Sequence, residues 1–305
     1  MRSGDLASMA GPESAEIRLT AGGLIAHLRL HFQLLLAPIF LWGYFLSGVR
    51  APAAFWLAFV AFHIFLYGGI TAFNSYYDRD QGPVGGMRVP PPVTEPLLPF
   101  SLAVLITGAL LSAAVNATFL AIYLAIMAFG LAYSHPATRL KARPLIGLAT
   151  VALGQGMLAS LGGWASAEPD LSTVDSIGWL GILGATLVTV GFYPITQSYQ
   201  VEEDLARGDI TFAVWAGPSR GLAFSIGVQA LGAALLAIAI AQRLDPIRAA
   251  LVLGLYAVLL IVTVAQANEF QRLNVMRQQR RVMVLNTIMS GGFFLFLAAN
   301  LIVAS

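Results

Sequence analysis

The chain has 305 residues, 58% of them hydrophobic and only 10% charged, with a formal net charge of +2 and no cysteine. A soluble domain carries about 25% charged residues and cannot hide this much apolar surface, so a soluble fold is excluded. The missing cysteine excludes disulfides, thiolate metal sites and a thiol nucleophile. An all-α polytopic membrane protein is what these values leave.

Residues 1–22 open with "MRSGDLASMAGPESAEIRLT", which is polar and lacks the apolar core of a cleavable signal peptide. They are read as a cytosolic tail, and 23–305 as one transmembrane domain. About 20 apolar residues cross the hydrocarbon core as a helix. Nine spans are expected, near 28–48, 52–74, 97–114, 117–134, 145–165, 177–199, 219–241, 247–267 and 282–304, packed as one bundle around a central cavity.

With the N-terminus inside, the inside segments hold Arg2, Arg18, Arg29, Arg79, Arg88, Arg139, Lys141, Arg143, Arg207, Arg220, Arg272, Arg277, Arg280 and Arg281. The outside loops hold only Arg50, Arg243 and Arg248. A division of 14 to 3 predicts N-terminus in and C-terminus out. Acids contribute little to orientation, yet Asp78, Asp80, Glu95, Glu202, Glu203, Asp204, Asp209 and Glu269 fall on the same side. Two signs of charge clustered on one face read as a site.

The second span runs into "NSYYDRDQG". Asn74 and Asp78 are four apart and share a face if the helix continues through them. A carboxylate at a helix C-terminus is unfavourable without a cation. The alternatives are a solvated loop or a Mg²⁺ site, since Mg²⁺ takes carboxylate and phosphate oxygens. The loop "GPVGGMRVPPPV" follows and carries Arg88. After the fourth span, "YSHPATRLKARPLIG" alternates Arg139, Lys141 and Arg143, either as ordinary positive-inside anchoring or as a phosphate clamp. After the sixth, "QVEEDLARGDITFAVWAG" places Glu202, Glu203 and Asp204 in succession. With no cation among them, the three acids are expected to repel until a divalent ion is bound. Two acid clusters facing each other, with basic residues nearby and an apolar bundle behind, suit a long hydrophobic chain ending in a diphosphate.

From about residue 25 onward the chain resembles the UbiA-type membrane prenyltransferase superfamily. The first motif keeps Asn74 and Asp78 of the family's Asn-Asp-x-x-Asp-x-x-x-Asp, and "GMRVPPP" is similar to the Lys-Pro-x-Arg-Pro-x-Pro stretch. "YSHPATRLK" and "QVEEDLARGDITFAVWAG" are similar to runs of the naphthoate-prenylating branch. Ser75, Gly82 and Gln200 stand where the pattern carries acids, and Glu202 replaces another. The resemblance implies Mg²⁺-dependent transfer of an isoprenyl group from a prenyl diphosphate to an aromatic or other lipophilic acceptor. Its partners are those two substrates and membrane lipids, with no nucleic acid.

The resemblance implies a metal set of Asn74, Asp78, Asp80, Glu202 and Asp204, and a diphosphate set of Arg88, Arg139, Lys141 and Arg143. Asp78, Asp204, Arg139 and Lys141 are the expected catalytic groups. Arg29 and Gln33 are placed toward the acceptor or diphosphate. Tyr76, Tyr77, Tyr133 and Tyr199 offer π-faces to a carbocation, with the interfacial aromatic belt as the alternative. His31 and His63 are expected to be neutral and hydrogen-bonded. Two other functions use the same features. A terpene cyclase shares the diphosphate site, and a transporter places its charges nearer the midplane than these lie.

Overall fold

The computed structural model describes residues 21–303, so the polar tail lies almost wholly outside the described residues. The described chain is all-helical. Among the described residues eight helices are long and apolar enough to cross a membrane, or nine if a bent pair is counted as one span. The pair, α1, is Gly22–Gln33 followed by Ala37–Ser47 at an angle of 49°. Then come α2 (Pro52–Asp78), α3 (Leu97–Val115), α4 (Ala117–Ser134), α5 (Pro144–Ala165) and α6 (Ser176–Gln197). A short helix, α7 (Val201–Arg207), leads into α8 (Phe212–Arg243), α9 (Pro246–Phe270) and α10 (Val275–Ile302).

Local chemistry explains the boundaries. Pro52, Pro144 and Pro246 stand at first helical positions, where a missing N–H costs nothing. The side chains of Asn116, Asp175 and Asp245 accept from the backbone N–H of Phe119, Gly178 and Arg248, capping α4, α6 and α9. The seventh span, expected from 219, belongs to a helix that starts earlier at Phe212 and breaks at Gly217, whose φ of 70° and ψ of 172° precede Pro218. The first span is broken rather than continuous: it bends between Gln33 and Ala37, and Arg29, ahead of that bend, adopts a left-handed conformation.

Leu110, Ile261 and Leu295 are 69%, 67% and 69% exposed, as side chains that face acyl chains rather than water are. Inside, lipid gives little hydrophobic drive for helix association, so close backbone approach matters. A Cβ added at Gly163 would sit 1.8 Å from the Phe40 carbonyl oxygen, and one at Gly43 would sit 1.7 Å from that of Ser160. These contacts lock α5 against the second half of α1. The α6–α8 pair is closed in the same way at Gly184 and Gly232.

Two π-helical segments interrupt the ladders of α2 and α5, at Ala61–Tyr67 and Ala152–Met157. Each shifts side-chain phase, and each carries a residue that lines the central cavity: Tyr67 and Gln155.

Gly163→Ala is expected to lower the thermal unfolding temperature of detergent-purified protein, by overpacking of about 1–3 kcal/mol. Gly227→Ala, where a Cβ meets open space, is the matched control and is expected not to lower it. Equal unfolding temperatures for wild type and Gly163→Ala contradict the close α1–α5 contact.

Candidate active site

A cavity of about 310 Å³ opens among α1, α2, α4, α5, α6, α8, α9 and α10. One end is charged and the remaining wall is mostly apolar, including Leu36, Ile70, Phe129, Val188, Phe192 and Phe293. The charged end is built from the turns that follow α2, α4 and α6, brought together by the bundle.

The α2 helix runs through Asp78, so Asn74 and Asp78 do share a face, and both line the cavity. The cation that a carboxylate needs at a helix C-terminus comes from the α4–α5 loop. Lys141 Nζ lies 2.5 Å from Asp78 Oδ2, and Arg139 Nη1 lies 3.6 Å from Asp78 Oδ1. Lys141 is itself buried. It lines the cavity, whereas Arg139 turns behind it. Through Nε and Nη2, Arg139 forks onto both oxygens of Asp209 at 2.6 and 2.7 Å.

The acid run after α6 does not repel as the sequence reading expected. Glu202, Glu203 and Asp204 occupy the first turn of α7, where the helix dipole favours anions, and Arg207 closes its last turn. Arg207 holds Asp80 Oδ1 at 2.5 Å through Nη1 and Asp204 Oδ1 at 2.9 Å through Nη2. The same Nη1 donates to the Asp78 carbonyl at 3.2 Å and lies 3.7 Å from Glu203 Oε1, while Nε lies 3.6 Å from Asp209 Oδ2. The Thr211 hydroxyl donates to Asp204 Oδ2 at 3.1 Å.

Burial raises the Asp204 carboxyl despite Arg207. Burial would also raise Asp209, but the Arg139 fork outweighs it and holds that carboxyl below its ordinary range. Arg207, which burial alone would lower, is held above its ordinary value by Asp80.

Arg29 enters from α1, buried, and donates from Nη2 to the Ser75 hydroxyl at 2.8 Å. Its guanidinium lies beneath Gly85 in the α2–α3 loop, where an added Cβ would come within 2.5 Å of Nη1. Arg29, Arg79 and Arg139 are the non-glycine residues with positive φ, at 51°, 49° and 37°, among the described residues. All three border this end of the molecule, and such strain gathers at functional sites. On the other wall Tyr133 and Tyr193 share a short hydroxyl–hydroxyl hydrogen bond, and the Gln197 amide donates to Tyr193 at 2.8 Å.

Four buried polar atoms that line or edge this end have no hydrogen-bond partner: the oxygens Asn74 Oδ1 and Asp78 Oδ1, and the donors Arg29 Nε and Arg207 Nε. Asp78 Oδ1 faces Arg139 Nη1 and Arg207 Nε faces Asp209 Oδ2, each at 3.6 Å and beyond hydrogen-bond reach, so all four atoms keep hydrogen-bonding capacity at the charged end.

Of the residues expected from sequence, Asn74, Asp78, Asp80, Asp204, Lys141, Arg29, Tyr133 and Tyr199 line the cavity. Arg88, Arg143 and Glu202 are exposed and do not line it, and Tyr77 packs edge-on against His135 instead. Lys141 sits within the short 3₁₀ turn Leu140–Ala142, whereas Arg143 is the extended residue that precedes α5, so the two side chains part. Glu202 lies on the solvent side of α7. Gln33 is spent on the α1 backbone, donating to the Leu28 carbonyl at 2.8 Å. Tyr76 donates to exposed Glu95. His63 bonds the Phe59 carbonyl and His31, though exposed, meets the Gly86 carbonyl.

Arg207, Asp209, Tyr193, Gln155 and Asn286 were not singled out in the sequence. Only Arg207 had a readable signal there, lying three and four residues after Asp204 and Glu203. No group of three or more His, Asp or Glu side chains converges as a preformed metal cluster among the described residues. The unpartnered Asn74 and Asp78 oxygens nonetheless fit one hard divalent ion beside a phosphate.

The family profile described as "UbiA prenyltransferase family" matches residues 36–288. The chain belongs to that family. It is an integral membrane enzyme of the prenyltransferase class. A UbiA homolog from Archaeoglobus fulgidus bound to GPP and Mg²⁺ has a similar fold, with a TM-score of 0.68 and 19% identity over 90% of this chain and 99% of that one. The apo UbiA homolog from Aeropyrum pernix K1 gives 0.63 and 20%, covering 90% and 98%. A digeranylgeranylglyceryl phosphate synthase structure gives 0.56 and 16% over the same shares, 90% and 98%. No curated protein matches the chain.

Asp209 is 2% exposed and holds Arg139 by both oxygens. Asp209→Ala in this UbiA-family enzyme is expected to cost about 2 kcal/mol of stability, below the range for a fully enclosed pair because Arg139 is partly open. The thermal unfolding midpoint checks it, and an unchanged midpoint refutes the structural role.

Proposed function

We propose that the enzyme binds a prenyl diphosphate with a divalent metal ion at the charged end of the cavity and transfers the prenyl group to an oxygen-bearing lipophilic acceptor. The observation that carries this is the set of four unpartnered atoms. A metal–diphosphate head supplies oxygens to Arg29 Nε and Arg207 Nε, and a cation to Asn74 Oδ1 and Asp78 Oδ1. The apolar wall suits the prenyl tail.

When bound, the ion offsets charge that grows on the leaving diphosphate. Lys141, Arg207 and Arg29 are aimed at the same charge. As the C1–O bond breaks, its electron pair stays with diphosphate; the acceptor bonds C1 and loses a proton. The rings of Tyr133 and Tyr193 border the cavity where the allylic cation forms and offer it their π-faces.

Transfer is favoured over cyclisation by the rest of the wall. Gln155 lines it without a hydrogen-bond partner, and Asn286, whose Oδ1 is taken by Ser290, keeps its Nδ2 free. Free amides gain from an acceptor with carbonyl or hydroxyl oxygens and gain nothing from a hydrocarbon. The 14 to 3 division of basic residues supports cytoplasmic placement of the charged end and a C-terminus on the opposite side.

Purified protein incubated with Mg²⁺ and labelled prenyl diphosphates is expected to release diphosphate and, with phenolic acceptors, to give a product of added prenyl mass. Asp78→Ala and Asp204→Ala are each expected to slow release by about 10² or more, since each removes several kcal/mol of transition-state stabilisation. Full turnover in excess EDTA, or near wild-type release by both folded variants, refutes the proposal. A reporter fused after Ser305 is expected to lie outside the cytoplasm; a cytoplasmic signal refutes the orientation.

A further inference from the structure

We propose a second ligand site at the end of the bundle opposite the charged cavity: a pocket for a phosphate ester that carries a primary amine, the head-group chemistry of phosphatidylethanolamine.

The pocket has about 360 Å³ of room, within the range of small-molecule sites. It lies among the end of α1 and the α1–α2 loop, the end of α5 and the α5–α6 loop, and the last turns of α8 and α10. The α2 helix fixes its level. That helix starts at Pro52, just after the α1–α2 loop, and ends at Asp78 in the charged cavity. Its 27 residues run about 40 Å, so the two sites sit at opposite membrane surfaces. Trp56 and Trp179, near the starts of α2 and α6, are exposed, as rings at head-group level are.

Four charged side chains line the pocket: Arg50, Arg243, Glu168 and Asp175. Two of them cancel. Arg243 Nη2 lies 2.5 Å from Asp175 Oδ1, the atom that also caps α6. The other two are unpaired. The Arg50 side chain makes no hydrogen bond or ion pair among the described residues. Glu168 Oε1 accepts from the Asp170 N–H at 3.0 Å, and no cation pairs with its carboxylate. Basic residues are scarce on this face, and the third of them, Arg248, is paired with Asp245.

The loop that carries Arg50 is held in place. The Tyr44 hydroxyl accepts from the Ala51 N–H and the Ser47 hydroxyl from the Val49 N–H, each at 3.2 Å, and Gly48 makes the turn with a φ of 68°. Trp164, 3% exposed, belongs to the wall, and its indole Nε1 is a buried donor without an acceptor.

One free cation and one free anion in one pocket select a ligand that carries both charges. A simple anion meets Arg50 and is repelled by Glu168, and a simple cation meets the reverse. A guanidinium forks onto phosphate oxygens, and a primary ammonium donates to a carboxylate where a quaternary one has no N–H to give. Phe45, Leu46, Val49 and Leu301 supply an apolar side that suits the glycerol and first methylenes of a lipid.

Full-length protein in detergent, stripped of copurified lipid, is titrated in native mass spectrometry with phosphatidylethanolamine, phosphatidylglycerol or phosphatidylcholine, and separately with free phosphoethanolamine. Wild type is expected to bind phosphatidylethanolamine about tenfold more tightly than the other two lipids. Glu168→Gln is expected to abolish that preference, and Arg50→Gln to weaken binding of all three about tenfold. Arg248→Gln, on the same face but outside the pocket, is expected to bind as wild type does.

Binding of the lipid but not of free phosphoethanolamine supports the proposal with the bilayer as source; equal binding of the two supports it with a soluble source. Equal affinity of wild type for the three lipids overturns it, as does wild-type binding by Arg50→Gln or Glu168→Gln. A loss in Arg248→Gln as large as that in Arg50→Gln also overturns it, because the attraction is then one of surface charge and not of the pocket.

Discussion

Arg207 ties the charged end of the molecule together, because the chain places carboxylates from two distant loops within reach of one guanidinium. Asp80 follows α2, Asp204 belongs to α7, and the same side chain donates to the Asp78 carbonyl. Unpaired, these groups would each carry the cost of a buried charge, several kcal/mol apiece. Paired through one arginine they fix α7 against the end of α2, and so fix the mouth of the cavity. Arg139 repeats the device at the next loop, joining Asp209 to the neighbourhood of Asp78.

The polarity of the cavity follows from where these pairs can exist. Loops supply charge at the membrane surface, where water and lipid head groups stabilise the exposed partners such as Arg79 and Glu95. Deeper in, only side chains that stay neutral are tolerated at low cost. The deeper polar groups are correspondingly hydroxyls and amides: Tyr67, Gln155, Thr189, Asn286 and Ser290. Tyr67 and Gln155 owe their direction to π-helical turns, which rotate a residue that a regular helix of the same sequence would direct elsewhere.

Much of this was legible in the sequence, and for a physical reason. A span is about 20 apolar residues long whatever it packs against, so nine spans could be placed from apolar run length, while starts such as Phe212 and Val275 lay several residues ahead of those expected. Asn74 and Asp78 could be paired because helical spacing is fixed. What escaped was everything set by approach between distant segments. Arg88, Arg143 and Glu202 have the right chemistry but face solvent. Asp209 is plain in sequence and acquires its role only from Arg139, 70 residues away. The left-handed turns at Arg29 and Arg139, which aim those side chains, have no glycine or asparagine to announce them. Neither π-segment carries a proline, although the second contains Gly154 and Gly156.

An enzyme that must receive an anion and a cation together faces a difficulty before either arrives, because a site complementary to both holds opposite charges that attract each other. This chain's solution is incomplete pairing. Lys141 takes one oxygen of Asp78 and leaves the other without a hydrogen-bond partner. Arg207 uses its two terminal nitrogens and leaves Nε without a hydrogen bond, 3.6 Å from Asp209 Oδ2. Arg29 uses one nitrogen on Ser75 and leaves Nε. Each ion pair is strong enough to hold the empty site's geometry, and each retains an unsatisfied atom for a ligand to complete. An unsatisfied buried polar atom costs about 1–3 kcal/mol, so the four together favour binding of whatever satisfies them all. Neither a bare anion nor a bare cation does so, because each leaves half the set unpartnered; a metal-bound diphosphate is the kind of ligand that reaches both.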